Sequence, residues 1–431
     1  MPMPMPLPML MPAPRLTPTP EHPPMDVDPG PGAVAGARLR GAADHGTAGI
    51  WPTQTLAWMA AASAHLCAPQ ASRTLALGQP QAADGLCASL TMSVHTPPGR
   101  RQPRLTLPGA HVTGEPCDLP QDRAAAMLQA LVAQPLALEL PRVPADSPTP
   151  DAVRRAYAGR AVVRVFPAPG APYIALDDTW AEPLQHFNAG RRSDFRRAEQ
   201  QARRMGGAHL VFHDNLCGQA LESGLDEAFE VEARSWKGQA GSALAQDLPM
   251  GRFIRDVARS AARAGALRLA FLRVDGRAAA MQIAVARDQR LWLLKIGYDP
   301  AYARCRPGHL LLLETLARAA RQGLRSCEFM GHAAPWTAQW TTTMRDCVGL
   351  RVYPMTRPGL LACGEDVAGG LIRRLHHAAI RLRAGAAGAS HLHGPKAAAA
   401  PAPAPAKETA TAASASATPA ATASPDAKDP P

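Results

Sequence analysis

LRLAFLRVDGRAAAMQIAVARDQRLWLLKIG, residues 267–297, decides how the rest of the chain is read. Three apolar runs of strand-like period are separated by Asp275-Gly276 and by a polar break at Arg287–Arg290. An Asp-Gly pair between such runs signals a two-residue hairpin, because both turn positions take left-handed backbone. The stretch therefore predicts an antiparallel meander of LRLAFLRV (267–274), AAAMQIAVA (278–286) and LWLLKIG (291–297). Upstream, helical periodicity predicts helices over 225–236 and 250–264. In the second, Met250, Phe253, Ile254, Val257 and Ala261 share one face and Gly265 is the stop. Downstream, HLLLLETLARAARQG (309–323) predicts a buried helix, and SCEFM (326–330) a further strand. The fold class is α/β, with a mixed sheet.

The amino-terminal half repeats this outline. A helix at 53–67, the runs TLALG (74–78) and LCASLTMSV (86–94), RLTLPG (104–109), a helix at 121–133 and LALELPRV (136–143) follow in turn. A helix at 150–158 and AVVRVF (161–166) lead into the second half. The expected organisation is two tandem domains of similar build, 48–172 and 173–357, the first degenerate. A basic amphipathic helix is expected at 358–384. Residues 1–47, rich in Pro and Met, and 385–431, rich in Ala and Pro, lack periodicity and are expected to be disordered.

The formal charge of +11 implies affinity for anions without naming one. Only 5% of residues are aromatic and no RNP-like or zinc-finger pattern occurs, so no specific nucleic-acid partner is expected. Eight scattered cysteines form no CxxC pair, which disfavours structural zinc and disulfide scaffolds, and no metal is expected. No apolar run is long enough to span a bilayer and the amino terminus is not a convincing signal peptide. A cytoplasmic location is the expectation. The stretch LIRRLHHAAIRLR (371–383) reads as a docked terminal helix, or as one in peripheral contact with a membrane. The sequence does not reveal the oligomeric state.

Arg304-Cys305-Arg306-Pro307-Gly308-His309 stands between the last meander strand and the leucine-rich helix. A helix start presents unpaired N–H groups and the positive end of the dipole, so two arginines there are unfavourable unless an anion joins them. A pyrophosphate fits this combination, with Gly308 admitting close approach. A solvated turn with spare arginines is the plainer alternative. The corresponding connection of the first half, HVTGEPCDLPQDRAA (111–125), is acidic. Its Asp118 and Asp122 would repel a diphosphate, which leaves donor binding to the second half.

RRSDFRRAEQQARRMGG (191–207), VEARSWKGQAGSAL (231–244) and KIGYDPAYARCRPGHLLLLETL (295–316), followed by SCEFMGH (326–332), resemble the CelD-like branch of the GNAT acyltransferases. That branch is associated with cellulose and exopolysaccharide production, and is itself similar to FemAB-type transferases. The resemblance implies acetyl-CoA or another acyl-CoA as donor, held through Arg304, Arg306 and Gly308 with His309 beside them. It also implies a pocket role for Trp236 and Lys237, and a small-molecule or polysaccharide-related acceptor. A FemAB-like aminoacyl transfer and a non-catalytic scaffold are the alternative functions.

Acyl transfer to an amine needs a base, a polarising donor and an acid for the leaving thiolate. Glu232 interrupts an apolar helix face and is a base candidate, or one half of an internal ion pair. Glu328, near the end of a core strand, is the second base candidate. Lys295 is the one charge in LWLLKIG and is suited to orienting a substrate, and Tyr298 just beyond is a candidate acid. The basic run at 191–204 reads as a solvated helix face.

Overall fold

The computed structural model describes residues 51–67, 72–76, 89–235, 238, 241 and 243–389. One compact unit ends at Gly369 and a second begins at Gly370. The terminal segments expected to be disordered lie almost wholly outside the described residues, as do Trp236 and Lys237.

Eleven described strands form one sheet. They are β1 (Ser72–Ala76), β2 (Ser89–His95), β3 (Arg104–Thr106), β4 (Ala137–Pro144), β5 (Ala161–Ala175), β6 (Ala208–His213), β7 (Leu267–Val274), β8 (Arg277–Arg287), β9 (Arg290–Tyr298), β10 (Ser326–Glu328) and β11 (Met344–Pro354). Their order across the sheet is β1-β2-β3-β4-β11-β5-β10-β9-β8-β7-β6. The helices that matter here are α1 (Leu56–His65), α2 (Ala124–Val132), α3 (Thr149–Ala156), α4 (Ala189–Arg204), α5 (Gly218–Arg234), α6 (Leu248–Arg263), α7 (Pro307–Arg321) and α8 (Arg357–Ala389).

The meander forms as its sequence requires. Asp275 and Gly276 both have positive φ, 50° and 72°, and join β7 to β8. A second left-handed pair, Asp288 and Gln289, joins β8 to β9. β8 is covered on both faces. Its Ala279, Ala280 and Ala284 lie in the core under α7, and Met281, Ile283 and Val285 lie under α5 and α6. The small alanines let α7 pack close to the sheet.

Among the described strands, each half has one parallel pair joined by a helical crossover. In the first, β3 and β4 are parallel with α2 between them. In the second, β9 and β10 are parallel with α7 between them. The halves are interlocked rather than merely adjacent. β11 comes from the end of the second half, yet it pairs antiparallel with β4 on one side and β5 on the other. α1 of the first half packs on α6, with Trp58 edge-on to Phe253 at 4.8 Å.

Two sequence expectations change. The strand 161–166 continues to Ala175 through Pro167, Pro169 and Gly170. The ladder to β11 is irregular here, and the buried Arg142 guanidinium takes the carbonyls of Pro169 and Gly170, both at 2.7 Å. A strand containing prolines is thus kept in the sheet interior by side-chain donors. The strand expected over 326–330 stops at Glu328, because Met330 and Gly331 turn left-handed with φ of 54° and 44°.

Candidate active site

The parallel pairing of β9 with β10 is short, running only from Ser326↔Arg290 to Glu328↔Trp292. Beyond it β9 continues to Tyr298, while the segment after β10 leaves through Met330 and Gly331. No described strand pairs with β9 on that side past Trp292, so the sheet opens there into a wedge.

A bulge sets what faces the wedge. Ile283 pairs with Lys295, but Ala284 pairs with Leu293, so Leu294 is an extra residue in β9. A one-residue slip reverses the faces of every residue after it. Lys295 and Gly297 therefore lie with Ile283 and Met281 on the α5 and α6 side, away from Leu291 and Leu293 under α7. Tyr298, paired with Ala280, comes to the α7 side, and a Cβ placed on Gly308 would lie 3.8 Å from its ring.

The connection into α7 is tightly built. Asp299 accepts the Ala301 N–H at 2.9 Å and an Arg234 contact at 2.8 Å, which ties the loop to α5. Cys305 is fully buried and directs its thiol to the Tyr302 carbonyl. The left-handed residue is Arg306, with φ 45° and ψ 54°, whereas Gly308 already lies within the first turn of α7. The left-handed turn is thus made two residues before Gly308, by an arginine held in a region usually left to glycine. No side chain caps α7, and Pro307 at its first position has no N–H to satisfy.

Arg304 and Arg306 are both exposed at this helix start. Arg306 reaches Asp194 of α4 at 3.3 Å. His309 contacts Gln339 at 3.1 Å and stacks on Trp340. Burial, together with nearby Arg191 and Arg306, lowers its pKa despite the Gln339 contact. Arg191, which the sequence placed on a solvated face, donates to the same Gln339 at 3.1 Å. An open cleft of about 620 Å³ lies alongside, lined by Asn188, Arg191, Gln339 and Thr341–Thr343 among others.

The carboxylates divide sharply. Glu328 is 1% exposed and paired with Arg345 through both oxygens, at 2.8 and 2.6 Å, with Ser326 donating a further hydrogen bond. Three donor contacts thus converge on this carboxylate. Glu232 is equally buried and accepts the Leu244 N–H at 2.9 Å. Its backbone presses on β9, since a Cβ on Gly297 would come within 3.2 Å of Glu232 Cα. Glu232, Gly297 and Lys295 therefore gather on one side of the wedge, with Tyr298 and α7 on the other.

Sequence reading passed over Glu115. It belongs to the first-half connection dismissed as an acidic loop, yet its carboxylate accepts the N–H of Gly331, where the chain leaves β10. Burial raises its pKa, while Gly331 N–H, Lys295 and Arg142 act in the opposite direction. His332 adjoins it, with a Cβ on Gly114 falling 3.5 Å from Nε2. Arg142 links the same groups by donating to the carbonyls of Gly114 and Gly331. The signal available in the sequence was a lone Glu between Gly114 and Pro116. Nothing local to it says which strand end it meets.

No curated protein matches the chain. Among solved structures, FemX is similar at 11% identity and a TM-score of 0.48, over 74% of this chain and 95% of that one. L-PGS from Bacillus licheniformis is similar at 10% identity and a TM-score of 0.37, over 65% and 86%. A tandem GNAT protein from the clavulanic acid biosynthesis pathway is similar at 16% identity and a TM-score of 0.33, over 71% and 90%. Residues 189–337 match the family model described as an acetyltransferase (GNAT) domain, the span that contains the meander, the α7 loop and β10. Over that span the chain has a GNAT-type acetyltransferase domain.

Proposed function

We propose that the protein is an acyl-CoA-dependent N-acyltransferase whose chemistry takes place in the wedge between β9 and β10. The observation that carries this reading is the uncapped start of α7 at the mouth of the wedge, with Arg304 and Arg306 both exposed there. The helix dipole and two guanidinium groups suit a diphosphate. Arg304, Arg306, Gly308 and His309 are the proposed donor contacts. The finer expectations, a CelD-like branch and a small-molecule or polysaccharide-related acceptor, rest on the resemblance of 191–207, 231–244 and 295–316.

In the proposed reaction Glu115 accepts a proton from the ammonium form of the acceptor, whose nitrogen then attacks the thioester carbonyl carbon. Lys295 orients the reacting groups beside Glu115. As the carbon–sulfur bond breaks, Tyr298 gives its proton to the departing thiolate and regains one from the nitrogen, which becomes the neutral amide. Glu232 holds the α5 end against β9 at Gly297 and so fixes the wedge wall. Glu328 is left to its ion pair with Arg345.

The test is calorimetric titration of the full chain with acetyl-CoA and with coenzyme A, beside the double variant Arg304→Ala, Arg306→Ala. Saturable binding lost in a folded variant is the expected result. A well-folded wild type that binds neither ligand would sink the proposal.

A further inference from the structure

The helix α8 is amphipathic in an unusual sense, with a committed inner face and an apolar outer one. Up to Gly369 its inner positions are fixed. Ala362 is fully buried, Asp366 binds Arg104 at 2.8 Å and accepts the Tyr353 hydroxyl, and Gly369 lies against Arg100. Its outer positions Leu360, Leu361 and Val367 are about half exposed, at 50%, 49% and 57%. Past Gly369 the helix presents Leu371, Ile372 and Leu375, each close to 60% exposed or more. Leu360 and Val367 recur at helical spacing in the first unit, and Leu371 and Leu375 do so in the second.

Charge points to the occupant of this face. Between Asp366 and Glu408 the chain carries no acidic residue, but it has Arg373, Arg374, Arg381, Arg383, Lys396 and Lys407. The nearest acids are already engaged, Asp366 as above and Glu365 by the N–H groups of Arg101 and Gln102. Pairing with a second copy would bring two acid-free basic segments together. No described helix is long and apolar enough to cross a membrane. A long helix with an exposed apolar stripe and flanking arginines matches the physics of a segment lying in the plane of an anionic bilayer surface.

We propose that α8 binds peripherally to anionic membranes, burying Leu371, Ile372 and Leu375 at the headgroup boundary with its arginines among the lipid phosphates. None of its residues belongs to the wedge, so the proposal stands whether or not the acyl-donor reading holds.

The test is co-sedimentation of the full chain with phosphatidylcholine vesicles and with vesicles containing about one third phosphatidylglycerol. The expected result is salt-sensitive binding to the anionic vesicles only. A Leu371→Glu, Ile372→Glu, Leu375→Glu variant should lower that partitioning about tenfold or more, with an unchanged circular dichroism spectrum and melting temperature. An Arg373→Glu, Arg374→Glu variant should lose the preference for anionic lipid. A wild type that stays in the supernatant at low salt overturns the proposal. So does a triple variant that binds as well as the wild type, because the basic tail alone would then suffice. A wild-type dimer that the triple variant splits, with no vesicle binding, would assign the face to a second copy instead.

Discussion

The two parallel crossovers, β3–α2–β4 and β9–α7–β10, share a construction and differ in what their connections leave open. The first connection turns its polar groups inward. Asp118 is 1% exposed and accepts hydrogen bonds from the Leu119 N–H, the Ser147 hydroxyl and the Gln54 amide, at 2.7, 2.7 and 3.0 Å. The second turns its cations outward, with Arg304 and Arg306 exposed at an uncapped helix. The same topology thus yields a self-satisfied joint in one half and a helix start with two exposed cations in the other. Yet the first is not idle, since Glu115 from its connection reaches the end of β10.

The sharpest way to break this contrast is the Arg304→Ala, Arg306→Ala variant. Loss of two charge-assisted contacts should weaken coenzyme A binding by about a hundredfold to a thousandfold, with the melting temperature unchanged. Retained affinity would make the second crossover no more an anion site than the first.

The converse variant is Glu139→Gln in β4. Burial works against the Glu139 charge, but His95, Arg351 and Arg104 outweigh it and hold the pKa at about 2. A carboxylate depressed in the folded state adds stability above its unfolded pKa, and that stability is lost as pH falls. Urea unfolding should therefore show about 3 kcal/mol less stability in the variant at neutral pH, and a wild-type loss of that order between about pH 5 and pH 2. Donor affinity should not move. An unchanged unfolding midpoint would remove the structural half of the comparison.

Glu115→Gln probes the residue that crosses between the two. Turnover should drop about a hundredfold while coenzyme A affinity stays. The wild-type rate should rise with pH through an apparent pKa above the ordinary carboxylate range, because burial raises this group and only its ionised form accepts a proton. A pH profile that keeps its inflection in the variant would rule Glu115 out as the base. The smallest effect belongs to Gly297→Ala, whose new Cβ must push back Glu232. It should cost about 1 kcal/mol, readable in the same urea titration.

Much of the second half is legible in the sequence because its signals are local. Asp275-Gly276 fixes a hairpin, and Leu310, Leu313, Ala317 and Ala320 of α7 repeat at helical spacing over about three turns. What escaped is non-local or a matter of counting. The extra Leu294 in β9 is invisible in LWLLKIG, yet it decides that Lys295 faces α5 and α6. The strand β11 follows a run of threonines and contains Arg345, Asp346 and Gly349, so its composition hides a position between two strands. Gly349 is required there because a Cβ would strike the Phe166 ring at 2.4 Å. The partner of Glu328, Arg345, lies on that same unforeseen strand, so nothing in SCEFM announces the ion pair. Trp236 and Lys237 lie outside the described residues and keep only the role that resemblance implies.

The placement of β11 also governs how the molecule is made. During synthesis β4 and β5 leave the ribosome long before the strand that joins them, since Val143 must wait for Val348. Loop-closure entropy grows only slowly with such separations, so the finished sheet loses little stability by it. Folding speed is more sensitive, because long-range pairings slow the search for the native register. Until β11 arrives, β4 and β5 each present an open edge able to recruit foreign strands. Truncation anywhere before Met344 should therefore yield aggregates rather than a smaller folded protein. The last described strand acts as the keystone for the first half.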